Sequence, residues 1–146
     1  MIDYNLFEDI LGFDSTSGKE RPLAEFLAGR LKAPRLEKFE VGDGTLNLLL
    51  SWGEPRIVYC THIDTVPPYI APKVYDDKVM GRGSCDAKGQ IIAMYTACCE
   101  LAAAGRNGFG LLLLSGEAPR PMNCSLPARP STPATRSSDA ARWICS

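Results

Sequence analysis

Three short segments of the sequence hold side chains that could act together on a polar substrate. His62, the only histidine, stands in the run Val58-Tyr59-Cys60-Thr61-His62-Ile63-Asp64-Thr65-Val66-Pro67. On extended backbone, positions two apart point the same way, so His62 and Asp64 project together from the end of a short apolar strand. Open α/β sheets form their ligand crevices at the C-terminal ends of strands. The spacing suits a metal-binding imidazole whose second ring nitrogen is held by a carboxylate. It suits equally a lone histidine satisfied by its neighbour, and the tripeptide alone leaves both open.

The second segment is Gly81-Arg82-Gly83-Ser84-Cys85-Asp86-Ala87-Lys88-Gly89, just ahead of an apolar stretch. A carboxylate at Asp86 could cap a helix there. Presented from a glycine-rich turn, it could instead bridge two cations through its two oxygens. A phosphate loop is excluded by residue order, since it needs Gly-Lys-Ser/Thr and the chain reads Lys88-Gly89-Gln90. The third segment, Leu111-Leu112-Leu113-Leu114-Ser115-Gly116-Glu117, delivers an acid at the end of a strand. Glu117 is either a general base poised by partial burial or the first polar residue beyond the strand. Cys60 alternates onto the side of His62, so Cys60, His62 and Cys85 make an alternative thiolate zinc or redox site, without the support of a CxxC pair.

The elements around these segments follow from local chemistry. A short helix is expected over Tyr4 to Leu11. Ser17-Gly18-Lys19-Glu20 reads as a capping box for a second helix carrying Leu23, Phe26, Leu27 and Leu31, which Pro34 ends. Strands are expected at 35–41, 46–52 and 56–60, the first two as a hairpin across Gly42-Asp43-Gly44. A small hairpin around Asp76-Asp77 leads into the glycine-rich turn. From Ala87 to Ala104 the chain is apolar nearly all round, as in a helix buried against a sheet, and Gly105 caps it. Phe109 to Leu114 has the continuous apolar character of a central strand. The order of elements predicts an α/β three-layer sandwich.

Composition bounds the function. The chain has 146 residues, 45% hydrophobic and 23% charged, with a net charge of -1. That length allows one core and not two full domains. There is no basic cluster to serve a nucleic acid, no apolar run long enough to span a bilayer and no basic-then-apolar leader, so a cytoplasmic protein is expected. The average conceals a division. Up to Glu117 there are 12 basic and 16 acidic residues; from Ala118 to Ser146 four arginines face Asp139 alone, and five of the 11 prolines lie in this last segment. Residues 118–146 therefore read as a Pro/Arg/Ser-rich tail that cannot bury a core. The six cysteines read as reduced thiols.

Taken in order, the segments resemble the zinc-dependent metallopeptidases and deacylases that include acetylornithine deacetylase, succinyl-diaminopimelate desuccinylase and carboxypeptidase G. Thr61-His62-Ile63-Asp64-Thr65-Val66-Pro67-Pro68 is similar to that family's His-x-Asp-Thr-Val-Pro box. Gly81 to Gly89 is similar to its Gly-x-x-Asp-x-Lys-Gly box, and the wording of both is closest to the acetylornithine deacetylase branch. The resemblance runs from about Phe7 to Glu117. It implies that His62 binds one metal, that Asp86 bridges two, that Asp64 holds the His62 ring and that Glu117 is the general base. It further implies two zinc ions, with cobalt an alternative, a small N-acyl amino acid as substrate, and a homodimer for the intact enzyme.

The chain departs from that pattern at Ala118, which stands where the family has a second Glu as metal ligand. Later acidic and histidine ligands and the smaller lid domain are not found either. The expectation is thus a partial catalytic domain over 1–117, the lid absent, followed by a disordered or out-of-frame tail over 118–146 and inactive as it stands. The alternatives are a non-catalytic product and the Cys/His zinc-binding module.

Overall fold

The computed structural model describes residues 3–42, 44–116 and 142–145. Helix α1 (Tyr4–Leu11) starts where the Asp3 side chain accepts from the Leu6 amide at 3.0 Å, and it buries Leu6, Ile10 and Leu11. Helix α2 (Arg21–Arg30) begins later than the capping box predicts. Glu20 turns back to the Gly18 amide (2.7 Å) instead of sealing the helix, and the Ser17 hydroxyl is drawn to Asp64. Pro22 is tolerated in the first turn, where its missing N–H has no helical partner to lose.

Five strands form one mixed sheet: β1 (Arg35–Val41), β2 (Thr45–Trp52), β3 (Ile57–His62), β6 (Phe109–Leu114) and β7 (Arg142–Cys145), in spatial order β1-β2-β6-β3-β7. Strands β4 (Lys73–Val74) and β5 (Val79–Met80) pair separately as the expected small hairpin. The β1–β2 hairpin is antiparallel, β2 runs antiparallel to β6, and β3 is parallel to both β6 and β7. Phe109–Leu114 is the middle strand, as its unbroken apolar run predicts. The β3–β6 register pairs Ile57 with Phe109 and His62 with Leu114, so the two parallel strands end level.

Helix α3 (Lys88–Ala103) makes the crossover from β3 to β6. It ends where Gly105, at φ 72°, lets the Arg106 amide return to the Leu101 carbonyl at 3.0 Å. Its burial is one-sided: Ile91, Ile92 and Cys98 are buried, while Ala93, Ala97 and Leu101 are exposed. The all-round apolar reading was inflated by alanines, which serve as helix formers on an open face.

The main core packs Leu6 and Ile10, Leu23 and Leu27, and Ile91 and Ile92 from the three helices against Leu48, Leu50, Leu111 and Leu113 of the sheet. Each fully buried Leu or Ile contributes about 1.5–3 kcal/mol relative to exposure. The alternate positions Leu49, Val58, Cys60 and Leu112 form a smaller cluster on the other face. The fold is the α/β architecture expected, and among the described residues all the helices pack on one face of the sheet.

Within the segment read as a tail, Arg142–Cys145 forms the edge strand beside β3. Four residues are too few to show a period in sequence. The rest of 117–141, Glu117 included, and Ser146 lie outside the described residues, as do Met1, Ile2 and Asp43.

Candidate metal centre

His62 is the last residue of β3, and its side chain is 17% exposed. Nδ1 lies 3.2 Å from Asp64 Oδ1 and 3.1 Å from the Asp64 carbonyl oxygen. Nε2 lies 3.1 Å from Asp86 Oδ1 on the far side of the ring. Asp64 is buried and Asp86 is open to solvent, with 78% of its side chain exposed. With the Nδ1 proton given to Asp64, Nε2 and Asp86 Oδ1 are two lone-pair atoms facing each other. A shared cation satisfies both, as does a second ring proton. The chemistry of this donor pair therefore fits a divalent metal as two of its ligands, one imidazole and one carboxylate.

The carboxylate behind the ring is itself held. The loop before α2 runs beside Thr65: the Thr65 amide donates to the Ser15 carbonyl (2.9 Å) and the Ser17 amide to the Thr65 carbonyl (3.2 Å). From there the Ser17 hydroxyl donates to Asp64 Oδ2 at 3.4 Å. Asp14 shapes this loop by accepting from Lys19 Nζ (2.8 Å) and from the Thr16 hydroxyl and amide (2.8 and 3.1 Å). Those bonds, Lys19 first, hold the Asp14 carboxyl at about 2.

Asp86 is presented by the glycine-rich turn rather than by a cap. The residue at the N-terminus of α3 is Ala87, with no side-chain capping bond, and the Asp86–Ala87 peptide is cis, as is Pro67–Pro68. Gly83 sits at φ 85°, where a Cβ would come within 2.9 Å of Thr65 Cγ2. At Gly89 a Cβ would run into the Ser84 carbonyl oxygen. Only glycine lets the turn close onto the His62 strand. Beneath it Lys88 is fully buried, donating to the Phe13 carbonyl at 2.7 Å, and burial pushes its ammonium down to about 8.

His62, Asp64, Ser17, Val66, Arg82 and Asp86 are among the residues lining an open cleft of about 280 Å³. The structure thus brings His62, Asp64 and Asp86 together, while Glu117 lies outside the described residues. The Cys60/His62/Cys85 alternative is not formed. Among the described residues no three His, Cys, Asp or Glu side chains could hold a metal together, and Cys60 is buried in the small apolar cluster. Sequence reasoning missed Ser17 as a site residue. Its partner is 47 positions away, so the local pattern offered only a helix cap.

Residues 58–118 match the family model of peptidase family M20/M25/M40. A peptidase M20 domain-containing protein of Schizosaccharomyces pombe is 31% identical over 124 residues, covering 77% of this chain and 31% of that protein. A LysW-lysine/LysW-ornithine hydrolase of Saccharolobus islandicus is 45% identical over 53 residues, 36% of this chain and 15% of that protein. The chain thus spans less than a third of the length of these relatives. Among solved structures, the aminopeptidase PepT of Bacillus cereus aligns with a TM-score of 0.61 at 24% identity, covering 80% of this chain and 37% of PepT. The M20 metallo-carboxypeptidase of Sulfolobus solfataricus aligns with a TM-score of 0.57 at 18% identity, covering 77% of this chain and 30% of that one. Both sequence boxes lie inside the segment that matches the family model of peptidase family M20/M25/M40, and the fold resembles that of these solved structures.

Proposed function

We propose that this chain carries part of the active site of a cytoplasmic, dinuclear zinc hydrolase that cleaves the amide bond of an N-acyl amino acid, in the manner of acetylornithine deacetylase. The observation that carries the reading is the meeting of His62 Nε2 and Asp86 Oδ1 at 3.1 Å in an open cleft, with Asp64 behind the ring. The similar archaeal proteins are named hydrolases of LysW-lysine and LysW-ornithine, which favours an amino-acid conjugate as substrate.

In this reading His62 and Asp86 would be the residues of this chain that hold the metal, zinc or in its place cobalt. A divalent cation bound there supplies Lewis-acid polarisation of an amide carbonyl and makes water more acidic. Asp64 keeps the Nδ1 proton on its own side of the ring, so that Nε2 presents its lone pair to the cleft. Glu117, three residues beyond Leu114 in sequence, takes the proton of the attacking water and passes it to the departing amine. The intact enzyme acts on a small molecule and works as a homodimer.

A second reading, a chain that holds metal weakly and does not turn over, is favoured by Ala118, which has no donor where the family carries a ligand. Zinc stoichiometry by mass spectrometry, with a deacetylase assay on N-acetylornithine, separates the two. Two zinc ions per chain with turnover supports the enzyme. One weak zinc, lost in Asp86→Asn, with no turnover supports the second reading, and zinc binding that survives Asp86→Asn refutes the site.

A further inference from the structure

We infer that Arg82 is the carboxylate-reading residue of the cleft, so that the ligand accepted here is a free acid and not the corresponding amide or ester. The inference rests on the proposed site for its placing of the scissile bond, and on separate observations for the arginine itself. Among the described residues, Arg82 is the only Lys or Arg that lines the cleft. Its backbone is fixed by the Arg82 N–H donating to the Ile70 carbonyl at 2.9 Å. Its side chain is fixed by Nε donating to the Pro68 carbonyl at 3.0 Å.

That second bond orients the guanidinium and uses one donor of five. No described residue accepts from Nη1 or Nη2, and no carboxylate of the described chain forms an ion pair with this arginine. A partly buried fork held by one edge, with its other donors open, is preorganised for a bidentate carboxylate at little cost in side-chain entropy. The same cleft offers carboxylates at Asp64 and Asp86 as its other charged groups. Among the described residues an anionic ligand therefore has one lysine or arginine in the cleft to approach, and Arg82 sets which end of the ligand lies there. Val66, 66% exposed on the same wall, leaves an apolar surface for the part between. The ligand class is an acyl amino acid or short peptide whose free carboxylate and scissile bond both fit within this one cleft.

The test is a titration of the full chain, followed by two-dimensional amide NMR, with N-acetylleucine and with N-acetylleucinamide, each with and without zinc. The acid is expected to shift resonances of residues 81–86 and the Arg82 Nε signal, and to bind at least fivefold more tightly than the amide even without zinc. Arg82→Gln should abolish that preference, and Arg82→Lys should retain part of it. Equal binding of acid and amide by the unaltered protein overturns the inference, whether or not the variants fold. An acid preference that appears only with zinc and survives Arg82→Gln also overturns it, because the metal then holds the carboxylate, and leaves the proposed metal site standing. A zinc-free acid preference lost in Arg82→Gln, in a chain that binds no zinc, upholds Arg82 and refutes the metal reading.

Discussion

The Ser17 hydroxyl reaches Asp64 Oδ2 at 3.4 Å, joining the loop before the second helix to the carboxylate behind the His62 ring. Groups that orient a ligand from behind typically alter metal affinity about 10–100-fold, and a bond this long belongs at the lower end. Ser17→Ala is therefore expected to weaken zinc binding about tenfold by competition with a chromophoric chelator, while Ser17→Thr retains most of the affinity. Unchanged affinity in Ser17→Ala would show that the hydroxyl is a bystander.

Asp64→Asn tests the next member of the same chain of contacts. An amide in place of the carboxylate no longer holds the Nδ1 proton unambiguously, so the ring loses its preferred tautomer. Zinc affinity should fall by about 10–100-fold with little change in the melting temperature. The nitrogen chemical shifts of His62 in the metal-free protein report the tautomer directly. A zinc affinity matching that of the unaltered protein would sink the assignment.

The glycine-rich turn makes a stability prediction. Alanine at Gly83 meets both a left-handed backbone and Thr65 Cγ2 at 2.9 Å. Strain of that kind costs about 1–3 kcal/mol before any repacking. Urea unfolding of Gly83→Ala should show a loss of this order. Gly18, also at positive φ but with nothing near its missing Cβ, should lose less. Equal losses at the two positions would mean that contact with Thr65 plays no part.

Cys98 makes a prediction about pH. Burial, with the neighbouring Cys99 thiol, pushes its pKa up from an ordinary 9.0 to about 11. Between those values the unfolded thiol gives up its proton and the folded one keeps it, so the folded state binds more protons and stability falls as pH rises. The loss should begin near pH 9 and level off near 11, at a size on the order of 2 kcal/mol. Denaturant titrations of the parent and of Cys98→Ala across that range should show the slope only in the parent. Among the described cysteines of the native protein the exposed Cys85 should react first with a thiol reagent, and Cys98 only on unfolding.

Much of this arrangement was legible in the sequence because it depends on local pattern. The apolar run Phe109–Leu114 announced a central strand, and the His62–Asp64 spacing announced two side chains on one side of a strand end. Legibility failed where a residue had a distant competitor. Ser17 and Glu20 have the types and spacing of a capping box, yet the hydroxyl goes to Asp64 and the helix starts later. Asp86 could be read as a cap or as a ligand; in the fold helix α3 has no side-chain cap, and Asp86 lies 3.1 Å from His62, 24 positions away in sequence. Lys88 stood out only as part of the Gly81–Gly89 box, and its burial had no local signal, since its partner is a backbone carbonyl 75 positions away.

The docking of residues 14–18 against Thr65 bears on how the protein can be cut. A peptide starting at residue 58, where the family match begins, would keep His62, Asp64 and Asp86 in full. It would lose Ser17, the Ser15 carbonyl on the Thr65 amide, and the Phe13 carbonyl that receives Lys88. The candidate donors would survive on paper and their arrangement would not, because the stretch that supplies no candidate ligand is the stretch that packs against the loops carrying them.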